Sequence, residues 1–252
     1  MTEPPRFSRE TRERFRAIAD DLNRFEENLL EYEERFQDRL DPQRRADGKV
    51  ILRDSARLSV MSAHARARVL MRAIVAAVNA QLPAALFLAA RAHVETAGMM
   101  AYTLRHCQRF LEGGISSDSL EAKLDRLFLG RTTRLDDGPE DAIPLNEQAI
   151  HVHDFVRSTD YLFQAEGRTD LRGAFFEAYE WLSEFCHPNV QARLADHVLE
   201  GGACIFLRTP VLTESDLRMS LVHLEMSDFV VSASFLDFEE LRNRSWPDES
   251  HT

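Results

Sequence analysis

Glu184, Cys186 and His187 stand together in Ser183-Glu184-Phe185-Cys186-His187-Pro188-Asn189, a run holding a carboxylate, a thiol and an imidazole just before a proline. The spacing Glu184-x-x-His187 puts the first and last on one helix face, the arrangement that di-iron bundles use twice together with two further glutamates. Here it occurs once. No other histidine has a glutamate three positions before it, and His151-x-His153-Asp154 offers only loosely related ligands. No metal site is expected. Nucleophilic catalysis lacks its parts as well, because there is no Gly-x-Ser-x-Gly elbow and neighbours such as Cys186 and His187 project to different sides of a helix. Gly113-Gly114 and Gly201-Gly202 lack the strand and the downstream pattern of a phosphate-cradling loop, so no nucleotide or other cofactor is implied.

Arg-x4–6-His marks helical ribonucleases of the nucleotide-binding superfamily shared by higher eukaryotes and prokaryotes, and Arg218 with His223 and Arg57 with His64 both fit it. A chain with 31 basic residues and 9 histidines produces about three such pairings by chance. Neither match carries the polar residue that usually follows the arginine, and the acidic balance of the chain gives the motif no support. A ribonuclease stands as the enzymatic alternative, with a metal-dependent hydrolase behind it, and no residue is assigned as catalytic.

Arg91 and Glu95 hold more promise, because they lie one turn apart on a helix that is otherwise strongly apolar. Burying a charge is costly unless it is paired, so Arg91 calls for a carboxylate and Glu95 is the nearest. We expect Arg91 and Glu95 to meet Glu184, His187 and Asn189 of a second helix. If the junction is filled, it is a clamp that sets the register of two helices. If it is hollow, its polar groups orient a small ligand.

The elements that would position these residues are helical. Ser8 caps a long first helix, read over 8–40, in which Phe15, Ile18, Leu22, Phe25, Leu29, Tyr32 and Phe36 recur at alternating spacings of three and four until Asp41-Pro42. Such a stripe either packs on the next helix or joins two chains as a homodimer. Helices follow over about 54–81, over 84–112 with Pro83 in the first turn and Gly113-Gly114 at the end, and over 118–129. An exposed loop at 130–144 leads to a helix from Asn146 to about Glu166, and then to the helix carrying Trp181, which His187-Pro188 stops. Gly201-Gly202 reads as the turn of a small β-hairpin near 197–207, and Thr213-Glu214-Ser215-Asp216 as the capping box of a last helix. The expected fold is all-α: one domain, 1–252, of about seven helices with one hairpin and frayed tails at 1–7 and 244–252.

The Arg91-x3-Glu95 helix followed by Trp181-Leu-Ser-Glu-Phe-Cys-His187-Pro-Asn189 before a hairpin resembles uncharacterised bacterial helical proteins classed as domains of unknown function. The resemblance spans roughly Leu82 to Leu207. It implies a helical fold and no particular activity.

Composition bounds the remaining classes. Forty-four per cent apolar and 29% charged residues are those of an ordinary globular protein. A net charge of -11 disfavours nonspecific binding to nucleic acid or anionic membranes. The three scattered cysteines, Cys107, Cys186 and Cys204, suit a reducing compartment. The N-terminus carries no apolar run behind its charges, and Ile74 to Ala92 is interrupted by Asn79, Gln81, Pro83 and Arg91. We therefore expect a cytoplasmic interaction or small-ligand-binding module.

Overall fold

The computed structural model describes residues 3–129, 150–187, 197–200, 203–206 and 211–247. In chain order the helices are α1 (Arg9–Arg14), α2 (Ala19–Arg35), α3 (Leu52–Asn79), α4 (Pro83–Leu111), α5 (Ser117–Leu129), α6 (Val152–Ala165), α7 (Ala174–Cys186) and α8 (Glu214–Arg242). The molecule is mainly helical. Among the described residues the only extended segments longer than a bridge are β1 (His197–Glu200) and β2 (Ala203–Phe206), paired antiparallel with Val198 opposite Ile205. Gly201-Gly202 lies outside the described residues.

α4 is the centre of the bundle, packed by α3, α6, α7 and α8. That position explains why its sequence is apolar almost all round, since a helix covered on every side has no face left for water. Pro83 occupies its first turn, and Gly113 follows its end at a φ of 75°. Gly98 serves a different need. A Cβ there would lie 3.0 Å from the Phe155 carbonyl carbon, so only glycine lets the α4 and α6 backbones approach this closely. One continuous core runs from Phe7 to Leu241.

The first helix differs from the expected uninterrupted rod. Its helical hydrogen bonding breaks at Phe15, a 3-10 turn covers Arg16–Ile18, and α2 ends at Arg35 rather than at Asp41-Pro42. The reason is burial: residues three apart eclipse in 3-10 geometry, which lets Phe15 and Ile18 enter the core together. At the other end Phe36 leaves the helix in extended geometry, and its ring lies under the Arg68 guanidinium at 4.4 Å. The stripe from Phe15 to Tyr32 is buried within its own chain, against α3 and α8. Glu33 fixes α2 to α3 by accepting from Arg68 and Arg72, the ion pairs measuring 2.6 Å each. A second copy meeting α2 would therefore find its polar outer face.

The N-terminal leader, expected to fray, is held at its last residues. Phe7 is 4% exposed and donates its backbone N–H to Glu26 Oε1 at 2.7 Å. Asn79, at the end of α3, accepts from the Ser8 N–H and the Thr11 hydroxyl and donates to the Arg6 carbonyl. Local signals fare as expected elsewhere: Thr213 caps α8 by accepting the Asp216 N–H at 3.1 Å. α6 begins at Val152, where His151 Nδ1 accepts the His153 N–H at 3.2 Å, while Asn146 lies outside the described residues. By length and composition α8 is the one described helix that could cross a membrane, with a mean hydropathy of 1.2 over its best window, half of it buried.

Candidate functional site

Arg91 forms the expected pair with Glu95, Nε to Oε1 at 3.0 Å. It does reach α7, though at other residues than expected. Its Nη2 donates to the Tyr179 hydroxyl at 3.1 Å, its guanidinium lies 5.3 Å from the Tyr179 ring centroid, and it hydrogen-bonds Cys186. Tyr179 and Cys186 are seven residues apart, so they fall on one stripe of α7, whereas Glu184 and His187 are turned away from it. Both are exposed. His187 ends α7 with φ -99° and ψ 152°, the extended geometry imposed on a residue before proline. Asn189 lies outside the described residues. Burial pushes the Cys186 thiol upward against the opposing pull of Arg91, so it is a poor thiolate.

The junction is filled around Arg91. Phe87 stacks on Phe185 at 4.1 Å and meets Trp181 edge-on at 5.8 Å, closing the α4–α7 contact beside the guanidinium. Only the Glu95 side is open, where Ser59, Ser62, Arg66, Thr96 and Phe155 border a hollow of about 360 Å³. Two of its walls, Leu127 and Ile150, border residues whose side chains lie outside the described set.

A more connected polar cluster lies where the sequence shows no motif. Asp228 of α8 is 4% exposed and accepts from the Tyr32 hydroxyl at 3.0 Å and from Asn28 Nδ2 at 2.9 Å. His93 of α4 is fully buried, with Nε2 3.4 Å from Asp228 Oδ1 and Nδ1 2.7 Å from Ser227 Oγ. Burial raises the Asp228 carboxyl to about 7, against the lowering effect of its Asn28 and Tyr32 hydrogen bonds, and lowers His93 to about 3. Burial thus drives both groups toward their uncharged forms, and the hydrogen-bond partner of His93 Nε2 is the Tyr32 hydroxyl at 3.3 Å. Serine, histidine and aspartate in a row suggest a triad. Ser227 and His93 are both 0% exposed, however, and the imidazole joins α4 to α2 and α8 in the core instead of facing a substrate.

The largest hollow found among the described residues lies on another side of α8, against the 3-10 turn Thr169–Leu171 and α7. It is a groove of about 630 Å³ walled by Leu171, Trp181, Met219, Met226 and Phe229, with His223 in its lining. His223 Nε2 is shielded from solvent and has no hydrogen-bond partner among the described residues. The ring packs 5.0 Å from Trp181, and burial lowers its pKa, favouring neutral imidazole. Gly173, at φ 79°, starts the helix that forms one wall, its N–H held by Asp160 Oδ1 at 2.8 Å. Sequence reasoning missed this site because Trp181 and His223 sit 42 positions apart in helices that each look like ordinary core.

Arg218 is exposed and bonded to Glu214, and Arg57 donates to Gln37. His64 is sealed under Tyr32, ring to ring at 5.1 Å. Among the described residues no three His, Cys, Asp or Glu side chains converge as metal ligands. Comparison with family models, curated proteins and solved structures finds no match, so the geometry alone bears on function.

Proposed function

We propose that the protein is a helical binding module whose α7–α8 groove takes a small, mainly apolar organic molecule. The observation that carries this reading is the groove itself: about 630 Å³, lined by aromatic and methionine side chains. Sites for small organic ligands run from roughly 300 to 1,000 Å³, are mostly apolar, and use a few polar groups to set orientation. Met219 and Met226 suit such a site because an unbranched thioether adapts to the shape of its contact. The Arg91 clamp supports the site from behind by fixing α7 to α4.

A neutral solvatochromic dye such as Nile red tests this. Its emission rises on mixing with the protein, and Val222→Arg, at a half-exposed groove position, abolishes the rise while the thermal melt is unchanged. Equal emission with wild type and variant, or no emission with either, overturns the reading.

A further inference from the structure

We infer that the groove selects a cationic amphiphile, a molecule with an apolar body and one protonated amine. This rests on the binding reading above and deepens it. Three charged residues border the groove: Arg168, Glu177 and Glu225. Two of them are compensated. Arg168 Nε lies 3.4 Å from Asp170, and Glu225 accepts from Arg24 Nη1 at 2.7 Å. The exposed Glu177 carboxylate has no ion pair or side-chain hydrogen bond among the described residues, so it is the uncompensated charge of the lining.

Its placement matches an ammonium group. Trp181 lies one turn after Glu177 on α7, so carboxylate and indole share a face, and a cation held by the first is within reach of the second. His223, across the groove on α8 and 5.0 Å from the Trp181 ring, is kept neutral by burial and offers no repulsion. The apolar body then covers Leu171, Met226 and Phe229. An anionic ligand would face Glu177 instead, and its nearest cation, Arg168, is already shared with Asp170.

Displacement of bound Nile red by nonylamine, nonanol and nonanoate compares three head groups on one chain length. Nonylamine displaces the dye at about tenfold lower concentration than nonanol, the gain expected of one partly exposed ion pair added to one cation–π contact. Nonanoate is the weakest. In Glu177→Gln, a surface change that leaves the fold intact, nonylamine falls to the level of nonanol and nonanol is unaltered. Equal displacement by amine and alcohol in the wild type, or an amine preference that survives Glu177→Gln, overturns the ligand class while the groove stands. Failure of the dye itself to bind overturns both.

Discussion

Two faces of α8 carry a histidine contact, and they differ in what surrounds the ring. On the face toward α2 and α4, His93 lies beside Asp228 and both of its nitrogens are engaged, Nδ1 with Ser227 and Nε2 with the Tyr32 hydroxyl. On the face toward α7, the Nε2 of His223 is equally hidden from water and has no partner. Burial lowers both imidazoles, so charge does not distinguish them. Saturation does. A buried polar group with its bonds made stabilises one packing, while one left unmade costs free energy and marks a looser wall. The first face reads as architecture and the second as a site.

The largest effect should come from breaking the saturated face. Asp228→Ala removes the acceptor shared by Asn28 and Tyr32 and leaves Tyr32 and His93 facing a cavity. Urea denaturation should show a loss of about 3 kcal/mol, typical of orphaning buried hydrogen-bonded groups. A loss below about 1 kcal/mol, within the range of ordinary surface changes, would mean that the network is not a structural keystone.

The same network predicts an unusual dependence on pH. A carboxyl raised from 3.8 to about 7 binds its proton more tightly in the folded state. Its contribution is full below the unfolded value and is lost as pH rises through the folded one. His93 and His64, lowered from 6.5 to about 3 and about 4, act oppositely: their contribution is full above 6.5 and is lost as pH falls. Below pH 6.5 the histidines dominate, so stability climbs with pH. Above it the histidines, His106 included, still gain as their unfolded forms finish deprotonating, so the Asp228 effect shows as a difference: wild type should lose about 1 kcal/mol relative to Asp228→Asn between about pH 6.5 and 8. Equilibrium unfolding of both proteins across this range decides it, and a wild-type curve that runs parallel to the variant's would place the carboxyl in its ordinary range.

How much of this was legible in the sequence depends on distance along the chain. Pro83, Gly113 and the Thr213 cap act within one turn of themselves, and their residue types alone mark helix ends. Arg91 with Glu95 was legible for the same reason. Its partner helix was also legible, but the facing residues were not. The conspicuous pair Glu184 and His187 drew attention, while the stripe that meets Arg91 is Tyr179 and Cys186, one ordinary aromatic and one thiol. The break at Phe15 was hidden because a heptad stripe constrains which residues are buried and leaves open whether the chain between them is α or 3-10. Asp228 was the least visible. It contacts residues 200 and 196 positions away, and in an acidic chain an isolated aspartate on an amphipathic helix looks like any solvated one. Only tertiary packing reveals that it is enclosed.

The smallest effect on stability, and the sharpest contrast with Asp228, is expected at the unsaturated face. His223→Leu keeps an apolar wall of similar size beside Trp181 and deletes a shielded nitrogen that has no bond to lose. Removing such a group relieves its desolvation cost, so unfolding free energy should stay level or rise by about 0.5–1 kcal/mol. Nile red should still bind, since the apolar lining persists. Nonylamine should keep its advantage over nonanol, because Glu177 and Trp181 both remain. If His223→Leu instead destabilised the protein as much as Asp228→Ala does, the nitrogen would have to be bonded in solution, and the two faces of α8 would be alike after all.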